Sequence, residues 1–402
     1  MITMPPFLPP LCLTGAEVLT GDTLVPRPVG IAAGQIVAAQ GAQGQGLPAV
    51  DLSGFLLLPG IIDLHGDGFE RQLFPRPGAA FPLTAALDAV DREAAAHGIT
   101  TAYLAQGWSW EGGLRGPDQA ETLMQAVLDH RARALTDLRV QLRAETHLVA
   151  EAPRLIAAVE RFRVDYVIFN DHLEEGFRMR RDNPDAFAHW ARKAGLDTAA
   201  LTARMEAARL AARQVPRALC LMADAFDRLG VTYGSHDDPD AETREVYRMI
   251  GARVAEFPTT RRAAAAARAA GDPVLLGAPN VVRGGSQAGN VAAAELIRAG
   301  ACDGLLSDYH MPALPLAPWR LADDGILPFA RAWALVSSGP TRVLRMVDRG
   351  TIAEGLRADL AIVDPARREV VATIAGGRLS HLAGRVAERF LRLPDLARLA
   401  AE

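Results

Sequence analysis

An α/β fold, a (β/α)8 TIM-like barrel with a small β-sandwich domain, is what this 402-residue sequence predicts. Three observations predict it. Apolar runs alternate with helical patterns from about residue 59 to 342. Period-two stretches broken by glycine occupy both ends of the chain. No GxGxxG follows the first barrel run, so a doubly wound open sheet fits less well.

Residues 1–58 begin the sandwich, in CLTGAEVLTG, VGIAAGQIVAAQ and VDLSGFLLLPG. Residues 343–402 complete it with GTIAEGLRADLAIVD and REVVATIAGGRL, followed by a C-terminal helix. The two ends are expected to pair into one small β-domain that the barrel, 59–342, interrupts. The barrel strands are read at 60–65, 99–106, 140–146, 165–172, 231–238, 252–258, 273–280 and 302–309. Ala-, Leu-, Arg- and Glu-rich helices such as 84–97, 118–136 and 261–270 lie between them. Segment 173–230 is too long for one crossover and reads as a helical excursion, a lid or a dimer surface.

Composition narrows the function. Half the residues are hydrophobic and the formal charge is −4, with no basic stripe or acidic tail, which argues against nucleic-acid and membrane partners. The N-terminus, MITMPPFLPPLCL, has no basic segment and is broken by prolines, so no signal peptide or membrane span is read. Cys12, Cys220 and Cys302 fit no CxxC pattern and read as reduced, buried thiols of a cytoplasmic protein. Lys193 is the sole lysine. A homodimer is left open.

Polar residues recur at the C-terminal strand ends, where barrel loops build active sites. His65 and Asp67 close the first strand, Glu145 the third, His172 the fourth, His236 the fifth and Asp308 the eighth. Taken singly, each is as readily a core histidine, a cap or a turn former. Repetition on five strands points to one or two divalent metals, zinc before manganese or iron. Two metals need a bridging carboxylate, for which Glu145 is the candidate. His147 is a rival ligand and His310 a candidate substrate contact. His97, His130, His189 and His381 sit in helical or C-terminal context and are read as structural.

LLLPGIIDLHGD resembles the opening motif of the amidohydrolase superfamily, and GLRADLAIVD resembles its closing strand. More narrowly, residues 65–77, GSHDD (234–238) and the long segment 277–309 resemble its phosphonate-metabolism diphosphatases. That resemblance implies ligands His65, Asp67, Glu145, His172, His236 and Asp308. It also implies a phosphorylated-sugar substrate, a ribose 1-methylphosphonate 5-triphosphate cleaved to the 5-phosphate and pyrophosphate. Asp308 would then be the catalytic proton shuttle. Arg71, Arg76 and Arg283 would bind phosphate, helped by Gly284, Gly285 and Asn290. Glu70 and Asp237 would orient ligands. Many superfamily members bridge their metals with a carboxylated lysine, which Lys193, in the excursion, does not suit. The family's His-Thr-Asp-Asn reads His65-Gly66-Asp67-Gly68 here, its Lys-His type pair Arg71-Gln72, and a later His-Ser pair Gln287-Ala288. These changes keep two alternatives open: hydrolysis of an amide-like C–N bond, and a non-catalytic assembly protein.

Overall fold

Eight parallel strands form one sheet in unbroken chain order. They are Ile61–Gly66, Ile99–Trp108, Asp137–Glu145, Tyr166–Asn170, Thr232–His236, Val254–Glu256, Val274–Gly277 and Gly304–Leu306. A parallel bridge between Gly66 and Asp308 draws the first and last together and nearly closes the barrel. The structure is a computed structural model and describes residues 7–39, 46–76 and 78–392. The first six residues of the N-terminal reading and 393–402 of the closing segment lie outside the described residues.

Every strand falls on a predicted apolar run, because a parallel strand is covered on both faces and cannot afford polar alternation. Ile99–Trp108 is buried along its whole length. One set of side chains, Ile62, Leu64, Tyr103, Ile168, Val254 and Leu306 among them, packs together inside the barrel. The alternate set, including Leu104, Leu142, Val167 and Leu276, packs against surrounding helices through Leu87, Leu123 and Phe226.

Four helices separate the fourth and fifth strands: Leu173–Asp182, Pro184–Lys193, Thr198–Leu210 and Val215–Leu229. The last packs on the barrel through Leu219, Met222 and Phe226. The other three share a core of their own, with Leu173, Phe187, Leu201 and Met205 gathered around Trp110. Asn183 and Asp197 accept backbone N–H bonds and so cap the second and third of these helices.

The terminal segments form two sheets that share one core, with Leu13, Ile31, Leu57 and Ile362 in it. Leu56–Pro59 pairs antiparallel with Leu360–Asp364, which joins the two ends of the chain. The pairing is narrower than expected. The four-stranded sheet is made wholly of N-terminal strands, Leu11–Thr14, Val29–Ala32, Gln35–Val37 and Ala49–Asp51, and only the six-stranded sheet is shared. The helix Gly384–Leu391 buries Val386 and Phe390 against this core.

The cysteine reading needs correction at one position. Cys12 is buried and Cys302 half-buried, but Cys220 is exposed. It lies on the outer face of Val215–Leu229, whose apolar stripe uses Leu219, Met222 and Phe226 instead. Among the described residues no helix is long and apolar enough to cross a membrane.

Candidate metal centre

The barrel interior turns from apolar to charged at the C-terminal strand ends. The first strand slips register between Asp63 and Gly66, a bulge that re-aims its last side chains. Buried Asp63 fixes this bend by accepting from Ser307 Oγ at 2.6 Å and Ser307 N at 3.0 Å. Asp237, Phe257 and Asp308, which follow the fifth, sixth and eighth strands, have φ of 58°, 50° and 54°. Left-handed backbone is uncommon outside glycine, and three instances on one rim mark a site whose geometry is enforced. Phe257 sets its ring edge-on to both His65 and His236, with centroids at 5.2 and 5.1 Å.

Each histidine gives one ring nitrogen to a carboxylate. Glu256 Oε2 lies 2.9 Å from His65 Nδ1 and 3.2 Å from His236 Nδ1. Its other oxygen accepts from Gln141 and Tyr166, each at 2.7 Å. Glu145 pairs with His172 Nδ1 and accepts from Trp110 Nε1 at 3.2 Å. This pattern leaves the Nε2 lone pairs of His65 and His172 facing the site, while that of His236 accepts from Arg143. Burial pushes the Glu256 carboxyl up, but the two imidazoles outweigh it and hold Glu256 well below the usual carboxylate range. Asp308 moves the other way: burial first, then the Asp67 carboxylate, push it up to about 6.

Three sets of donor atoms lie close enough to share a cation: His65, Asp67 and Asp308; His172, His236 and Asp237; and His65, His236 and Glu256. Imidazoles with carboxylates fit a divalent transition metal, and acids crowded enough to raise Asp308 need a positive charge among them. Arg143, from the third strand, supplies one such charge. It donates to Asp67 at 3.4 Å and to His236 Nε2 at 3.2 Å. With the Asn170 amide turned so that its oxygen faces the guanidinium, that oxygen also accepts from Arg143.

The predicted residues fare unequally. His65, Asp67, His172, His236 and Asp308 all enter the three sets, whereas Glu145 enters none. Asp237 carries its own carboxylate to 3.6 Å from His236 Nε2. His147 stays outside these sets and turns to Asp171, 3.4 Å away. His310 is exposed.

Two adjoining bays open over these residues, both lined by Asp237 and Gln287. The smaller, about 230 Å³, is formed by Arg283, Ser286, Asn290 and Asp308 with the ends of the sixth and seventh strands. The larger, about 600 Å³, lies under the helical excursion and is lined by Asp67, Arg115, Arg143, His172, His189 and Lys193. Glu70 also lines it and holds Arg115 at 3.0 Å, rather than a metal-facing group. Arg71 and Arg76 line neither bay: Arg71 donates to Gly68 O and sits by Glu93, and Arg76 is exposed. The amides of Gly284 and Gly285 are not free donors for phosphate either. They bond Val281 and Asn280 carbonyls and terminate the helix Ala278–Arg283. Sequence reasoning did not single out Glu256 or Arg143; His189, read as structural, and Lys193, read as part of the excursion, both line the larger bay.

No family model matches the chain. It is 35% identical over 336 residues to the α-D-ribose 1-methylphosphonate 5-triphosphate diphosphatase of Escherichia coli (strain K12), covering 82% of this chain and 88% of that protein. The chain belongs to that diphosphatase family. Solved structures share its fold at low identity. The β-aspartyl dipeptidase of Fervidobacterium islandicum AW-1 aligns with a TM-score of 0.61 at 14% identity, over 93% of this chain and 97% of that one. N-acetylglucosamine-6-phosphate deacetylase from Pasteurella multocida aligns with a TM-score of 0.59 at 12% identity, over 92% and 99%. As a member of that family the chain is a hydrolase.

Proposed function

We propose that the chain is a metal-dependent diphosphatase acting on a ribose 5-triphosphate, cleaving it to the 5-phosphate and pyrophosphate. The observation that carries this reading is the rim of imidazoles, each oriented by a buried carboxylate, beside a bay with an arginine at its wall. The diphosphatase activity of the E. coli relative points the same way.

In this reading His65, Asp67 and Asp308 would hold one divalent ion, zinc before manganese or iron, and His172, His236 and Asp237 could take a second once Arg143 releases the Nε2 of His236. A bound divalent ion makes water acidic enough to ionise near neutral pH. Asp308 takes the proton of the attacking water and returns it to the leaving oxygen. Water oxygen bonds to the α-phosphorus as the bond to the bridging oxygen of pyrophosphate breaks. Arg143 sets a fixed positive charge against the equatorial phosphoryl oxygens. Arg283 and Asn290 hold the pyrophosphate arm in the smaller bay, and the sugar lies under the excursion. Glu145 acts by orienting His172 rather than by bridging two metals.

The test is pyrophosphate release from ribose 5-triphosphate compounds by the metal-loaded chain. Asp308→Asn is expected to lower kcat by about 10²- to 10⁴-fold, the range for a lost general acid-base. Turnover of N-acyl or cyclic-amide substrates, with none of the triphosphates, would refute the reading in favour of C–N bond hydrolysis.

A further inference from the structure

A second cavity lies at the opposite end of the barrel from the metal centre. It has a volume of about 430 Å³ and sits where the third and fourth strands begin, against the β-domain. Arginines dominate its wall: Arg131, Arg139, Arg163, Arg349, Arg357 and Arg378. The only acids lining it are Asp137 and Asp165.

Ion pairing uses up the charge of three of these arginines but not of the whole wall. Asp137 pairs with Arg139 at 2.9 Å and Arg349 at 2.8 Å, and Arg349 also pairs with Asp348 at 2.9 Å. Asp165 pairs with Arg139 as well, at 2.8 Å. Arg357 turns to Asp359 at 2.9 Å. Among the described residues, the side chains of Arg131 and Arg163 have no hydrogen bond or ion pair. Both follow helix C-termini, of Pro117–His130 and Ala152–Phe162, whose carbonyl ends attract cations. Yet neither guanidinium bonds those carbonyls. Arg378 stacks over Phe7 at 4.1 Å, and burial with the charge of Arg357 holds its pKa below the ordinary value. The unpaired charge at this cleft is therefore that of Arg131 and Arg163, both exposed at its mouth.

We propose that this cleft binds a compact phosphate-bearing anion at a site separate from the active centre. Guanidinium forks approaching from several sides match tetrahedral phosphate oxygens, and the volume falls in the range of small-ligand sites. Because the wall includes both Arg163 of the barrel and Arg378 of the β-domain, the anion ties the two together.

Inorganic phosphate is the probe. Equilibrium dialysis of the metal-loaded chain against labelled phosphate is expected to reveal a component that Arg131→Ala/Arg163→Ala weakens at least tenfold. Arg283→Ala should leave that component intact, and hydrolytic activity should survive the double substitution. Arg131→Lys/Arg163→Lys should restore part of the binding. Phosphate binding that is unchanged in the double variant, or lost only in Arg283→Ala, overturns the proposal. Hydrogen exchange on the wild-type chain gives an independent reading. Phosphate should slow amides in 128–140 and 162–166, and protection confined to 280–290 overturns the proposal equally.

Discussion

Glu256 shows how much of the site rests on a residue that touches no solvent. It is fully buried and accepts from four side chains, two of them the imidazoles of His65 and His236. By taking both Nδ1 protons it fixes the tautomer in which Nε2 can bind metal. Glu256→Gln is accordingly expected to weaken metal affinity by about 10- to 100-fold, as loss of such partners does elsewhere. Competition against a chelator of known affinity measures this, and unchanged affinity with an intact fold would refute the role. Its place was visible in the sequence: an acid at the end of ARVAEFP, at the same strand end as His236 and Asp308. The strand-end rule that found those two applies equally to strand six. Arg143 was less legible. An arginine inside a strand reads as a break in an apolar run, and only the closed barrel shows it facing Asp67 and His236.

At the scale of elements, the eight strands were legible because burial on both faces leaves an unmistakable apolar run. The roof over the site was not. Its helices show the same amphipathic period as any crossover, and which of their residues face the candidate site depends on docking across Trp110. That docking is polar as well as apolar: Trp190 donates to Glu111, and Arg204 donates to the Glu111 carbonyl at 2.6 Å. The result carries Lys193 and His189 to the wall of the larger bay. Under the proposed function a lysine there would contact parts of the substrate remote from the reacting phosphorus, and so would contribute equally to ground and transition states. Lys193→Ala should therefore raise KM about tenfold, worth ~1.4 kcal/mol, while leaving kcat nearly unchanged. A fall in kcat at constant KM would place Lys193 at the chemistry instead. Trp190→Phe, which keeps the packing and removes the bond to Glu111, separates a loosened roof from a lost charge.

For the whole molecule, the site lies where the first and last strands of the barrel meet. Leu56–Pro59 of the β-domain runs through Gly60 into the first barrel strand, and Asp308 returns beside Gly66 at the eighth. Gly60 has no room for a side chain, since a Cβ would come within 2.5 Å of Thr100. Backbone bonds at this seam are few: Asp67 N, Gly68 N and Asp308 N donate across it, at 2.8, 3.3 and 2.9 Å. A cation held by His65, Asp67 and Asp308 would close the same seam through side chains. Such an ion binds the folded barrel and not the unfolded chain, so it adds stability as RT ln(1 + [M]/Kd), about 2.7 kcal/mol at a hundred times Kd. Removing metal with a chelator should lower Tm by several degrees, and restoring zinc or manganese should reverse the change. The increment should vanish in Asp67→Asn, which keeps the shape of the side chain but weakens the ligand. If scanning calorimetry finds the same Tm with chelator as with metal, the cluster holds no ion that matters to the fold. The closure at Gly66 and Asp308 would then rest on the backbone bonds and on the hydrogen bonds of Asp63 to Ser307.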